Sequence, residues 1–451
     1  MTHDASPIGA DVSDRTEERV RLRHGVTGTV TDDGYVLVRW PHAQDLGVIT
    51  PRQRALLLRL ADEDVPAGQD DDELLATLRA GGWLRVTVEL DGRPLYTLTP
   101  MPPVQAEQPV PPEAVLSRFA VIRRSREGME AESPRARCTS LLHDMSCLPD
   151  AFDPEPRSRA GRLLRAGLWR AGLLALPGTE GDTLPLSQWS AHELWFHGRS
   201  RRTTGLGRTH GRTDWAAGHF PVPPPVRESS PGPGVALHRP DTTALGAGDP
   251  PLAAVIGRRR SIRQHDDQRP LTAAELGEFL FRCGRNQPTT DEEHVRRPYP
   301  SGGMAYPLEI YPVIRLVAGV EPGLYRYDPQ AHRLEQAGAM TNAVRRLLRD
   351  ASVSLHGRVA ADPQVVLVVA ARFGRVMWTY REMSYSLILK DVGVLFQTMY
   401  LVATAMGLAP CALGVGDAGA FEAATGLDPM VEGSVGEFAL GSRLPERRAV
   451  S

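Results

Sequence analysis

Lysine is almost absent from this chain. Lysine and arginine together number 52, and Lys390 is the single lysine. Chemistry that needs an amine therefore has one residue to use, and recognition of negative charge falls to arginine, whose planar fork matches phosphate and carboxylate. Cysteine is scarce as well. Cys138, Cys147, Cys283 and Cys411 are scattered with no C-x-x-C pair, which argues against a structural zinc site. No window approaches the roughly 18 uninterrupted apolar residues of a membrane helix, and the polar segment 1–23 lacks the apolar core of a signal peptide. A cytoplasmic setting with no membrane partner is expected. The formal net charge is only −2, without the basic excess that a nucleic-acid binder needs for phosphate contacts. The 451 residues, 41% of them hydrophobic, leave room for roughly two to four domains.

The first hundred residues form one unit, 1–101. Val26–Val30 and Tyr35–Trp40 flank Asp32-Asp33-Gly34, a hairpin signal. Thr50 reads as a helix cap with Pro51 at the first helical position. A second helix is expected from about Asp71 to the Gly81-Gly82 stop. Trp83–Leu90, Asp91-Gly92 and Pro94–Thr99 then make strand, tight turn and strand. Helices followed by such a hairpin describe a winged-helix-like module. A second module is expected over 113–217, after the proline-rich linker Pro102–Pro112: Leu163-Leu164-Arg165-Ala166-Gly167-Leu168-Trp169 echoes Leu78-Arg79-Ala80-Gly81-Gly82-Trp83. Asp71-Asp72-Glu73 would repel phosphate at a recognition helix, so these modules suit protein recognition, with a peptide adding a strand beside a hairpin. His192 and His197 are five apart, where two helix ligands on one face want four, so they read as packing residues. Residues 218–249, with Phe220-Pro221-Val222-Pro223-Pro224-Pro225 and Ser229–Gly234, read as an extended tether.

The last domain, 250–446, opens on Arg258-Arg259-Arg260-Ser261-Ile262-Arg263. Four arginines and a hydroxyl can satisfy a phosphate dianion, and alternation places Arg259, Ser261 and Arg263 on one side of an extended segment. Thr272 caps a helix through Leu276, Phe279 and Leu280. Arg297-Pro298-Tyr299-Pro300-Ser301-Gly302-Gly303-Met304 fits no regular element, and its glycines let a flat ligand approach bare backbone N–H groups. Tyr306–Val317 and Gly323–Pro329 read as strands, and Val365–Ala371 as a buried one. A long helix runs from about Ser384 to Met406, with Leu387, Val394, Leu395, Met399, Val402 and Met406 at helical spacing and Gly407 as its stop. Pro410–Gly416 and Phe438–Leu440 complete the strands before Gly441-Ser442-Arg443-Leu444-Pro445.

In their order and spacing, Arg-x-Ser-x-Arg, Pro-Ser-Gly-Gly before Pro-Leu-Glu-Ile-Tyr, the long helix and the terminal Gly-Ser-Arg-Leu-Pro resemble the FMN-dependent nitroreductase superfamily. Gly-Leu-Tyr-Arg-Tyr-Asp-Pro and Tyr-Pro-Ser-Gly-Gly are similar to its SagB-type azoline dehydrogenases, which oxidise thiazolines and oxazolines to azoles in ribosomally made peptides. The resemblance covers Pro250 to about Glu446. It implies an α+β, nitroreductase-like FMN domain behind the two winged-helix-like modules. It also implies that Arg259, Ser261, Arg263 and Arg443 hold the FMN phosphate, that Pro300, Ser301 and Gly302 line the isoalloxazine edge, that Leu413 and Gly414 stand at the flavin N5, and that Gln397 reaches the ribityl chain or ring. A homodimer, a precursor peptide carrying azolines and a cyclodehydratase partner follow from the same resemblance.

The chain departs from that family at one place. Where such dehydrogenases carry a Lys-Tyr pair it has Thr379-Tyr380, which leaves Tyr380 as the expected proton-transfer residue, with Arg375 or Arg381 lowering its pKa. Two other readings stand beside azoline oxidation: a generic NAD(P)H-dependent FMN reductase of nitro compounds or quinones, and a flavin-binding scaffold without turnover.

Overall fold

The computed structural model describes residues 15–32, 34–39, 42–68, 72–101, 108–201, 211–229, 232, 234–289, 295–356 and 361–445. Asp33, Trp40, Asp71, residues 102–107 of the first linker, parts of Ser229–Gly234 and Glu446 lie outside them. The chain divides into two compact units, Met1–Arg208 and Thr209–Ser451.

In the first unit, Thr27–Thr31 pairs with Gly34–Arg39, and Thr50 caps Pro51–Asp62 in a capping box closed by Gln53. Asp91 and Gly92 both adopt left-handed φ, 51° and 75°, the turn that a two-residue hairpin between right-twisted strands requires. The hairpin they close is not a free wing. One sheet runs through Val65–Pro66, Thr16–Leu22, Leu84–Leu90, Arg93–Pro100, Cys138–Leu142, Met129–Glu132 and Val121–Arg124 in that spatial order. The two expected modules share this sheet, joined where Arg93–Pro100 pairs with Cys138–Leu142. The internal echo recurs in the backbone a few residues after its sequence counterpart. Trp83 N donates to Leu78 O and Leu173 N to Leu168 O, each at 2.9 Å, around left-handed Gly82 and Gly172. Gly167, which the sequence echo aligns with that stop, instead lies inside the helix Arg159–Ala171, where a Cβ would run into Leu98.

The second unit is a sheet covered on both faces. Its strands are β1 (Gly234–Ala236), β2 (Leu308–Ile314), β3 (Gly323–Asp328), β4 (Arg333–Gly338), β5 (Val365–Arg372), β6 (Ala409–Leu413) and β7 (Glu432–Gly441). They lie in the order β1-β4-β3-β2-β5-β7-β6, every neighbouring pair antiparallel. The helices are α1 (Thr242–Gly248), α2 (Leu252–Arg258), α3 (Ala273–Gly284), α4 (Asn342–His356), α5 (Gly374–Met377), α6 (Ser384–Ala405) and α7 (Ala418–Thr425). Val365, Leu367, Val369 and Ala371 of β5 pack with residues of α3 and α6, while Val366, Val368 and Ala370 pack with residues of α4 and α7. A strand buried on both faces has no polar alternation, hence its unbroken apolar run.

Helix α6 turns Ser384, Ile388, Asp391, Val392, Leu395, Met399 and Ala403 inward, a three-to-four-residue spacing. Leu387, Val402 and Met406 pack at the edge of that core, whereas Val394, expected on the buried stripe, is 36% exposed. Gly407 (φ 71°) ends the helix, with Leu408 N returning to Ala403 O at 2.8 Å.

The expected tether is a strap. Residues 218–249 belong to the second unit rather than separating domains, and the unit begins near residue 209 instead of 250. Prolines there donate nothing, but their carbonyls accept. Pro223 O receives Arg375 Nη1 at 2.7 Å and Pro224 O receives Arg372 Nη2 at 2.8 Å. Arg227 meets Glu432 at 2.5 Å and Tyr311 Oη at 3.0 Å, Ser229 donates to Asp328 at 2.5 Å, and β1 adds an edge strand to β4. A proline-rich sequence reads as unstructured because it lacks donors, and the domain supplies them as arginines.

A chain beginning at residue 211 should therefore keep its fold, while one beginning at Thr242 should lose Arg227, β1 and the strap. Glu432 would stay buried without its guanidinium, a loss at the low end of about 3–5 kcal/mol because Arg227 reaches the surface. Thermal melting reads the difference, and equal midpoints for the two chains would contradict the strap.

Candidate functional site

Two clusters of the expected site residues assemble at different turns of α6. The first lies where α2 ends. Arg259 is the cap residue of that helix, so the extended alternation begins after it. Arg260, Ser261 and Arg263 line an open groove of ≈ 580 Å³ together with His356 and Arg443, and no carboxylate is among its described lining residues. Arg259 is outside that lining; its guanidinium lies over the Tyr400 ring, 5.3 Å from the centroid. Arg443 arrives through an antiparallel bridge to His265. The buried amide of Gln364 holds the two segments together: its Nε2 donates to Asp266 O (3.1 Å) and Ser442 Oγ (3.0 Å), and its Oε1 accepts from Leu271 N (3.1 Å) and Ser442 N (3.0 Å). Guanidiniums and a hydroxyl around a groove whose described lining has no acid fit a phosphate monoester.

The second cluster is the Ser301-Gly302-Gly303 turn. Ser301 Oγ donates to Asp391 Oδ2 at 2.5 Å, Gly302 N donates to Asp391 Oδ1 at 3.0 Å, and Tyr306 N donates back to Ser301 Oγ at 2.9 Å. The Ser301 hydroxyl is thus engaged within the protein, and backbone remains to meet a flat ligand. Pro300 beside it is exposed. Asp391 is 4% exposed; burial pushes its carboxyl up, against the pull of Ser301 and Gly302. Gly303 has φ 62°, and a Cβ there would collide with the Tyr380 hydroxyl, so glycine is needed for two reasons. Tyr380 follows α5 and packs at the core edge. The segment leading into the strap covers its turn: Thr213 N and Asp214 N donate to Thr379 O (3.1 and 3.0 Å) and Trp215 Nε1 to Met377 O (2.6 Å), while Trp378 Nε1 donates to Phe220 O of the strap (3.0 Å). The expected helpers of Tyr380 are occupied elsewhere. Arg375 binds Ala305 O and Pro223 O, and Arg381 lies 5.8 Å over the Trp215 ring. Arg212, before the same segment, is held by Asp214 at 2.8 Å, which raises its pKa.

The remaining expected residues separate. Leu413 is buried at the end of β6, and Gly414 is exposed with open space where a Cβ would stand. Gln397 faces outward on α6 with Gly393 and Val394 and joins neither cluster by a hydrogen bond. Asp391 marks one cluster and Tyr400 the other, nine residues or about 13 Å apart along the helix. No sequence motif singles out Asp391, Tyr400 or Gln364. For Asp391 the one available signal is a lone acid in an apolar helix.

Residues 256–442 match the family described as the Nitroreductase family. A protein of Methanocaldococcus jannaschii named as a nitroreductase is 34% identical over 163 residues, 36% of this chain and 78% of that one. The trifolitoxin-processing protein TfxB of Rhizobium leguminosarum bv. trifolii is 30% identical over 148 residues, 32% of this chain and 39% of TfxB. The microcin B17-processing protein McbC of Escherichia coli is 33% identical over 124 residues, 26% of this chain and 44% of McbC. The match spans less than half the length of the two processing proteins.

Behind the phosphate-type groove, His265 accepts from Gln364 N at Nδ1 (3.2 Å), and its ring fills the space beside Gly441. Burial lowers its pKa to about 4, with Asp267 opposing and Arg315 and His356 adding to the fall. The unfolded value is near 6.5, so the folded protein favours neutral His265. Its contribution is complete above pH about 6.5 and lost as pH falls toward 4, amounting to at most about 3 kcal/mol. Denaturant titration at pH 7 and pH 4.5 should show a steeper acid loss in the wild type than in His265→Gln; equal losses would remove His265 as the cause.

Proposed function

The chain belongs to the nitroreductase family of oxidoreductases, and on that premise we propose that its second unit is an FMN-dependent oxidase of peptide azolines, converting thiazolines or oxazolines to azoles in a ribosomally made peptide. One observation carries the reading: the Tyr380 hydroxyl stands against the Gly302-Gly303 turn that Asp391 clamps. This puts a proton-transfer group beside a backbone surface suited to a flat ring. Likeness to two proteins named for peptide processing supports a peptide substrate.

Members of the family generally bind FMN, which when bound supplies a hydride acceptor. Arg260, Ser261, Arg263 and Arg443 would hold the phosphate, with Arg259 behind them on Tyr400. Pro300, the backbone of Ser301-Gly302 and that of Leu413-Gly414 would line the ring. Azoline oxidation removes a proton from one ring carbon and a hydride from its neighbour. Tyr380, as its phenolate, would take that proton at Oη and become the neutral phenol; the azoline dehydrogenases that the chain resembles carry a lysine where Thr379 precedes it. Thr213, Asp214 and Trp215, bonded to Thr379 and Met377, keep that turn in place.

A second copy of the chain is the partner that suits α6. Tyr385, Leu389 and Val394 on it are 40%, 37% and 36% exposed, apolar surface that a homodimer would bury. Among the described residues α6 is long and apolar enough to span a membrane, yet it contains buried Asp391 and packs in the core, so no membrane partner is assigned; the location is cytoplasmic. The first unit recruits the precursor peptide or a cyclodehydratase. Its sheet ends in Val121–Arg124, which among the described residues pairs only with Met129–Glu132 and can accept an added strand. Nucleic acid is not a partner.

Tyr380→Phe should retain FMN yet oxidise an azoline-containing peptide about 100-fold more slowly. Flavin absorbance reports the first quantity, and mass spectrometry of the peptide the second. Unchanged turnover would reduce Tyr380 to packing. Retained turnover in Tyr380→Phe combined with a gain in Thr379→Lys would put the proton acceptor elsewhere.

A further inference from the structure

We propose that Tyr400 orients the Ser261 hydroxyl toward the ligand phosphate, through a hydrogen-bond chain whose direction is set by the edge strand β6. The inference deepens the cofactor reading above and rests on it. Strand β6 ends the sheet, with β7 on one side only. Its outward backbone groups need partners, and the polypeptide after α2 and a helix side chain provide them. Ile262 N donates to Pro410 O at 2.8 Å, and Ala412 N donates to Tyr400 Oη at 2.8 Å. Tyr400 Oη also lies 2.8 Å from Ser261 Oγ.

The direction follows from counting hydrogens. A backbone N–H is a donor only, so Tyr400 Oη accepts from Ala412. The phenol's own hydrogen then has Ser261 Oγ as its acceptor, which leaves the Ser261 hydrogen to point out of the pair, into the groove that Arg260, Arg263 and Arg443 surround. The reverse arrangement would leave the phenol hydrogen without an acceptor and present the groove with a serine lone pair, repelling an anion. Arg259 over the phenol ring and Phe438 edge-on to it at 5.1 Å hold the ring in this position. Hydrogen bonds in series polarise one another in the same sense, so Ser261 becomes the stronger donor. Tyr400 touches no ligand in this scheme; it is a positioning residue.

The test uses the flavin-free full-length chain titrated with FMN and, separately, with riboflavin, which has the same ring and ribityl chain but no phosphate. Tyr400→Phe keeps the ring, its packing and the cation above it, and loses only the hydroxyl. FMN binding should weaken about tenfold while riboflavin binding stays within about twofold. In a Ser261→Ala background the same change should cost FMN almost nothing, because the two residues act as one. Equal weakening for both ligands would mean that Tyr400 only caps the β6 edge, and no weakening for either would also overturn the proposal. A wild-type chain that binds FMN no better than riboflavin would remove the phosphate assignment and this chain of bonds with it. Wild-type discrimination that persists in Tyr400→Phe would remove the chain alone.

Discussion

A carboxylate buried in an apolar helix must be given donors, and the donors Asp391 receives determine where the site is. Four per cent of its surface is exposed, and leaving such a group unpaired would cost several kcal/mol. The Ser301 hydroxyl and the Gly302 N–H meet that need. In doing so they fold an irregular proline- and glycine-rich stretch into one turn against the middle of α6. That turn leaves room for Tyr380 only because Gly303 has no side chain. Nine residues on, the same helix carries Tyr400, which ties the arginine-rich segment to β6. The helix thus sets the distance between the two clusters, the proposed anion-binding end and the proposed flat-ligand end, through its rise per residue.

Arginine does in this chain what lysine and backbone amides do elsewhere. Its fork bonds to several acceptors at once, and the strap exploits that: a run of prolines offers carbonyls without donors, and Arg372 and Arg375 come up from the domain to meet them. Underneath, Glu309 is ringed by Arg297, Arg326 and Arg372 at 3.6–3.9 Å. Burial raises its pKa while the three guanidiniums oppose the rise. The prolines, the arginines and the buried acids form one system, which is why the domain extends back to about residue 209 although its family match begins at 256.

Local features are legible in the sequence itself. Thr50 and Thr272 cap their helices as expected, each in a capping box closed by Gln53 or Glu275, Gly407 stops α6, and the apolar run at Val365 is a strand buried on both faces. Each of these depends on residues within a few positions of one another. Long-range polar pairings are not legible there. Ser301 and Asp391 are 90 residues apart in sequence, Ser261 and Tyr400 139, and Asp266 and Gln364 98. No periodicity announces such pairs. The same limit explains the strap and the sheet shared by the two N-terminal modules, because strand pairing across a linker leaves no local trace. Arg259 caps α2 with its guanidinium over the Tyr400 ring, and Gln397 lies on the outward face of α6; no local pattern in the sequence tells of either placement.

The central claim is that the second unit passes electrons from a peptide azoline to a bound flavin. Mixing the flavin-loaded full-length chain anaerobically with a thiazoline-containing peptide tests it directly. The account predicts bleaching of the flavin's visible absorbance in step with loss of two hydrogens from the peptide ring, one ring oxidised per flavin. A flavin that stays oxidised in the presence of the peptide, yet is reduced by NAD(P)H, would contradict it and point to a reductase of small acceptors instead.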